Sequence, residues 1–213
     1  MLEKLPESLG HALIHQRAGM EQVVYNLLHR ERETARLSVT SPTFVFNGTL
    51  PTRYTADGIG ISPPLEWDAV PQGVGSFAIL VEDADSPTPH PLVQAIVVDL
   101  ASTVRALEEG SLDSPHHAGA GHETGRNSYL KRAWLPPDPP RGHGTHRYVF
   151  QVFALIEGPN FTTMPGRREF IAAVLNRAVA VGCLIGVYER SAPLKPDAEL
   201  GTGIEGTAQV GAW

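Results

Sequence analysis

Cysteine occurs once in the 213 residues, at Cys183. No disulfide can therefore staple the chain to itself, and the thiol stands in the apolar run GCLIGVY, where burial and inertness are expected. Such usage fits a reducing compartment. Long hydrophobic runs are also missing. No stretch approaches the roughly 20 apolar residues that a membrane-spanning helix needs, so integral membrane contact is not expected. The opening MLEKLPESLGHALIHQRAG breaks its apolar residues with Glu, His, Gln and Arg, leaving no continuous core for a signal peptide. A cytoplasmic location is the expectation. Basic excess is absent too: 17 Lys and Arg face 23 Asp and Glu, a net charge of −6. That field repels phosphodiester backbones and anionic membranes, so nucleic acid is not an expected partner and any anion site must be local.

What is present is ample apolar material, 42% of residues, enough for a core in a chain of this length. Its spacing changes along the chain. Residues 7–35 carry Leu9, Leu13, Met20, Val24, Leu27 and Leu28 near one helical face, with Arg and Glu elsewhere, which predicts an amphipathic helix weakened by Gly10 and Gly19. Beyond Leu37 the runs SVTSPTFVF, GSFAILVE, VQAIVVDL and RYVFQVFAL are β-branched and aromatic, bounded by Pro, Gly, Asn and Asp, and read as strands. A late helix fits EFIAAVLNRAVA, with Phe170, Ile171, Val174, Leu175 and Ala178 on one face and Gly182 ending it before CLIGVYER returns to strand. The fold class is mainly β. The pattern divides the chain into a helical extension (1–36), a β-rich domain (37–190) and an irregular tail (191–213). The extension's apolar stripe must be buried somewhere: on the chain's own sheet, against a second copy or at a membrane surface. The mixed charges of its polar face disfavour the membrane. Packing on the own sheet stands nearly level with a homodimer through residues 7–35, which is preferred.

Chemistry concentrates in DADSP (83–87), SPHHAGAGHETGRN (114–127), WLPPDPPRGHG (134–144) and THRY (145–148). Strand alternation puts His146 and Tyr148 on one face and Arg147 on the other. A His and a Tyr beside a Gly-rich approach form a donor-lined concavity suited to a small anion. The bland readings compete: HRY as ordinary packing, DADSP as a polar turn, and His116, His117 and His122 as decoration of a solvated loop. His143 and His146 stand three apart without a third ligand at a recognisable spacing, which argues against zinc. Asp83 and Asp85 match the D-x-D used to hold Mg²⁺ in nucleotide transferases, but no phosphate loop or βαβ alternation accompanies them. Ser86 and Ser128 lack the strand–elbow–helix setting of a serine hydrolase. Binding is preferred to catalysis, and no cofactor is expected.

Together the segments TSPTFVFNGTLPTRYTADGIGISPPLEW (40–67), SFAILVEDADSP (76–87), GRNSY (125–129), PPRGHGTHRYVFQVFAL (139–155) and GVYER (186–190) resemble the phosphatidylethanolamine-binding protein family, in its bacterial Raf-kinase-inhibitor-like branch. The resemblance runs from about Leu37 to Arg190. It implies a large antiparallel sheet flanked by a smaller one, with a C-terminal helix near a small anion pocket. The function implied is non-enzymatic binding of an anionic or phosphorylated group: a phosphoethanolamine-like headgroup or a phosphorylated side chain. The alternative is an interaction module that inhibits a kinase or peptidase. Carried over by position, Asp83, Asp85 and Pro87 match the family's acidic turn, His146 and Tyr148 its pocket strand, and Pro139 and Pro140 its pocket rim. Asp83 would orient the His146 ring, whose other nitrogen would donate to the ligand, or would act as counterion to an ammonium. Asp85 would fix the turn. Gln94 stands where the family usually has a pocket His, Ala84 where it has Pro, and Asp138, where a small residue or Cys is common, would place negative charge at the pocket mouth.

Overall fold

The computed structural model describes residues 7–113 and 123–190. The expected irregular tail and the loop carrying His116, His117 and His122 lie outside that range. The N-terminal region contributes α1 (Glu7–Ala12), a short 3-10 turn (Met20–Gln22) and α2 (Val24–Glu31). The strands follow as β1 (Ala35–Arg36), β2 (Ser38–Thr40), β3 (Gly48–Thr49), β4 (Leu65–Asp68), β5 (Ser76–Asp83), β6 (Leu92–Ala101), β7 (Ala106–Leu107), β8 (Glu123–Thr124) and β9 (His146–Leu155). Helix α3 (Arg167–Arg177) then runs directly into β10 (Ala178–Tyr188).

The large sheet has the order β1-β10-β9-β5-β6-β8, with β3 also pairing with β10. Its body is antiparallel, but β1 and β3 join β10 in parallel, so the sheet is mixed rather than purely antiparallel. A smaller sheet has the order β2-β4-β7. The side-chain period of two explains the layering. From β5, Phe77, Ile79 and Val81 pack toward the small sheet with Val39, Leu65, Trp67 and Leu107. Ala78 and Leu80 point the other way and meet Val24 and Leu28 of α2 and Phe170 and Val174 of α3. A strand covered on both faces loses polar alternation, which is why SFAILV reads as one apolar run.

Three sequence expectations are corrected. Residues 7–35 are not one helix: Gly19 takes φ 96°, outside helical space, and separates α1 from the turn leading to α2. The expected strand through FVF is absent, because after Thr40 the chain turns; Phe44 is buried, whereas Val45 and Phe46 are exposed. Helix α3 ends at Arg177 rather than at Gly182, and Ala178 to Gly182 already form a ladder with β9.

The stripe expected to seek a second copy is largely covered by the chain itself. Val23, Val24 and Leu28 are fully buried, and of the remaining large apolar residues here Leu9 and Ile14 are exposed. No Ser, Thr, Asp or Asn precedes α2 as a cap. Its first amides instead donate to side chains of the sheet: Val24 N–H to Glu82 at 3.0 Å and Tyr25 N–H to Gln151 at 2.7 Å. Arg167 at the start of α3 pairs with the same fully buried Glu82 at 2.7 Å and donates to the Gln22 carbonyl.

Candidate functional site

Strand β5 ends in Asp83, and the turn that follows is closed by its own carboxylate: Asp83 Oδ1 accepts the Asp85 amide at 2.9 Å. Ser86 Oγ adds a bond to the Asp83 carbonyl. Asp83 and Tyr148 are register partners across β5 and β9, which brings the start of β9 against the turn. His146 and Tyr148 share a face, as alternation requires. His146 is fully buried, and its Nδ1 lies 2.8 Å from Asp83 Oδ2.

The other nitrogen of His146 does not face open space. It lies 2.7 Å from Nδ1 of His143, also fully buried, whose Nε2 lies 2.8 Å from the Leu13 carbonyl and 3.1 Å from that of Gln16. A carbonyl only accepts, so His143 Nε2 carries a proton. Burial first, then His146 and Arg17, lowers the His143 pKa and keeps the ring neutral. Its Nδ1 is then a lone pair, which His146 Nε2–H fills. The hydrogen bond between His146 Nδ1 and Asp83 completes the chain from carboxylate to backbone.

On the other side of Asp83 is a cavity of about 10 Å³, room for about one water-sized group, lined by Asp83, Leu92, Gln94, Tyr129, Leu135, Pro136 and Asp138. Gln94 Oε1 and Tyr148 Oη are buried and have no hydrogen-bond partner. Burial above all, then the charges of Asp83 and Asp138, pushes the Tyr148 pKa well up, so the phenol stays a donor. Asp138 is not a bare charge at the pocket mouth, since it pairs with buried Arg190, which also holds Asp57. The inner cavity shares Leu92 and Tyr129 with a groove of about 520 Å³ that also takes in Pro89, His90, Pro91, Arg126 and Leu130.

Of the residues singled out in the sequence, Asp83 and Gln94 line the inner cavity, with His146 bonded behind Asp83. Asp85 faces away. Buried to 1% exposure, it accepts Arg147 Nε at 2.7 Å, Arg147 Nη2 at 2.6 Å and the Arg147 amide at 2.9 Å, with Arg17 at 3.1 Å. Asp83, not Asp85, therefore makes the turn bond. Pro87 lies half-buried beyond the turn, while Pro139 and Pro140 are buried in the approach to His143 and Pro136 takes the place at the cavity wall. Sequence reasoning did not find Tyr129, Leu135, Arg17 or the role of His143. Tyr129 left a trace as the end of the GRNSY motif, and His143 as the histidine three residues before His146. Among the described residues no three His, Cys, Asp or Glu side chains form a metal-ligating group, and no helix is long and apolar enough to cross a membrane.

The profile of the family described as phosphatidylethanolamine-binding protein matches residues 40–189. A UPF0098 protein of Aquifex aeolicus is 34% identical over 157 residues, covering 73% of this chain and 90% of that protein. The fungal phomoidride biosynthesis cluster protein B is 28% identical over 200 residues, covering 89% of this chain and 96% of its own length. Among solved structures, Escherichia coli YbcL superposes with a TM-score of 0.69 at 28% identity, covering 73% of this chain and 99% of YbcL. With a profile spanning most of the chain and the same sheet architecture, this chain belongs to the phosphatidylethanolamine-binding protein family.

Proposed function

We propose that the chain is a non-enzymatic binding protein that takes a small headgroup-like molecule with its ammonium or hydroxyl end inward. The observation that carries this reading is the character of the inner cavity: two carboxylates, Asp83 and Asp138, and the unpartnered Gln94 Oε1 surround a water-sized space. Those atoms accept hydrogen bonds, so the group that completes them is a donor. His146, the expected anion donor, has both ring nitrogens engaged inside the chain. A tetrahedral phosphate is too large for the inner space and fits the adjoining groove, where Arg126 supplies positive charge. A phosphoethanolamine-like molecule then spans the two compartments past Leu92 and Tyr129.

Catalysis finds no support in the serines. Ser86 Oγ bonds the Asp83 carbonyl and Thr88, and Ser128 Oγ accepts the Val93 amide, so neither is held by a base.

Calorimetry at pH 7.5 with ethanolamine, phosphoethanolamine and inorganic phosphate tests the reading. Both amines are expected to bind and phosphate alone is not. Asp138→Asn should weaken ethanolamine about tenfold, roughly 1.4 kcal/mol. Binding of phosphate in the absence of ethanolamine binding would overturn the orientation.

A further inference from the structure

We propose that the rim of the groove outside the inner cavity is a docking face for an anionic lipid bilayer, with Leu130 inserted as an apolar tip and Arg126 and Lys131 set against the lipid phosphates. The turn that carries Leu130 is built around one side chain. Asn127, itself buried, accepts the amides of Tyr129 (2.9 Å) and Lys131 (3.0 Å) on Oδ1 and donates through Nδ2 to the Ala133 carbonyl at 2.9 Å. Its backbone closes the same turn: Asn127 N–H donates to the Lys131 carbonyl, and the Asn127 carbonyl accepts the Leu130 amide. This frame holds Leu130 at φ 60° with 76% of its surface exposed. Leucine rarely occupies left-handed backbone space, whereas glycine sits there without strain. A large apolar side chain that is held under strain and buries little adds little to the fold, so its use lies outside the chain.

The start of α3 repeats the arrangement. Gly166 and Arg167 form part of the groove wall, and Met164, two residues earlier, is exposed at φ 56°. The Arg126 amide donates to the Pro165 carbonyl at 2.9 Å and ties the two segments together. Positive charge gathers on the same face. Arg126 lines the groove and Lys131 follows Leu130; both are exposed, and neither forms an ion pair with a described residue. Arg132 pairs with Glu123 at 3.1 Å, and Arg168, 93% exposed, with Glu169 at 3.3 Å. The Glu169 carboxylate is also taken up by the Gly166 amide. Four cations thus face two carboxylates, on a chain whose net charge is −6.

That contrast selects the partner and its approach. An anionic surface is attracted to this face and repelled by the molecule as a whole, so docking occurs in one orientation and weakens with salt. A protein partner would have to offer matched sockets to two separate apolar residues with cations between them. Hydrocarbon beneath a layer of phosphates accepts both without shape matching, and its negative potential acts on each cation separately.

Sedimentation of the full chain with vesicles tests the face. The probe is an equimolar mixture of phosphatidylcholine and phosphatidic acid. Neither headgroup carries the ammonium N–H or alcohol that the inner cavity takes, so the outcome is independent of the headgroup reading. At low salt the chain should bind these vesicles and not phosphatidylcholine alone, and added salt should release it. Leu130→Gly keeps the backbone conformation and removes the tip: its urea midpoint should match the parent's while its vesicle affinity falls about tenfold. Arg126→Gln and Lys131→Gln should each weaken binding about fivefold. Two substitutions of exposed residues outside this face, Val45→Ala on the loop before β3 and Arg30→Gln near the C-terminal end of α3, should bind like the parent. No binding, or equal binding to the two vesicle types, would overturn the proposal. So would a Leu130→Gly chain, or an Arg126→Gln, Lys131→Gln double variant, that binds like the parent. Capture of poly-glutamate through Arg126 and Lys131 by a chain that ignores the vesicles would also overturn it, assigning the face to an acidic protein partner.

Discussion

Asp85 illustrates how a single buried charge is retained. Burial by itself raises its pKa, but the Arg147 fork and amide, helped by Arg17, outweigh it and hold the carboxyl below its usual value. Its contribution to stability is therefore present above the unfolded value near 3.9 and is lost as pH falls through the lowered folded value. Acid titration of the unfolding midpoint should show Asp85→Asn destabilised at neutral pH, with the gap to the parent closing only below about pH 4. Arg147→Met leaves Asp85 buried with Arg17 alone. The cost expected in urea unfolding is roughly 2–3 kcal/mol, less than for a fully buried pair because the Arg147 side chain is 41% exposed. Cys183 makes the opposite case: burial pushes its thiol up to about 11, so it stays protonated near neutrality. Its alkylation by iodoacetamide at pH 7.5 should be slow in the native chain and fast in urea; rapid native labelling would refute the assignment.

At the scale of elements, helices α2 and α3 begin on the same buried carboxylate. Glu82 receives the first amide of α2, the Gln151 amide and the Arg167 guanidinium. A helix without a cap in its own sequence has borrowed one from the sheet. Glu82→Ala leaves a buried guanidinium and an orphan amide, and should cost about 3–5 kcal/mol in urea unfolding. Gln151→Ala, which removes the acceptor of Tyr25 N–H and one donor to Glu82 but leaves the Arg167 pair in place, should cost less, about 2 kcal/mol. Negligible costs for both would show that α2 is held by its apolar face alone. The periodicity of Val24 and Leu28 was legible in the sequence. The break at Gly19 and the sheet-supplied cap were not, because an i, i+4 pattern does not reveal where a long stripe is interrupted or which distant acid meets its first turn.

For the whole molecule, the central sheet is buried on both faces, by the small sheet on one side and by α2 and α3 on the other. The N-terminal region is thus a layer of the domain rather than an appendage. A chain beginning at Ser38 exposes Ala78, Leu80 and Ile96, which Val24 and Leu28 otherwise help cover, and should aggregate or unfold rather than yield a soluble monomer. Light scattering of the full chain is expected to give a monomer, since the stripe that called for a second copy is largely covered. A dimer that dissociates into folded monomers on truncation would reverse this conclusion.

The sequence by itself determined the family, the mainly β class, the face shared by His146 and Tyr148, and the presence of a polar turn over 83–87, though not which aspartate closes it. Each rests on local order: the two-residue period of a strand, the chemistry of a turn, and motifs read in succession. Only the tertiary structure decided which partner each buried polar group takes. His143 stood out only for its three-residue spacing from His146 until the carbonyls of Leu13 and Gln16, more than 120 residues away in the chain, closed on it. Asp85 looked like a turn residue until Arg147 and Arg17 met it. Asp138 looked like a charge at the pocket mouth until Arg190 paired with it. A buried polar atom must be satisfied, but by which distant segment depends on how the layers stack, and hydrophobic spacing along the chain carries no record of that.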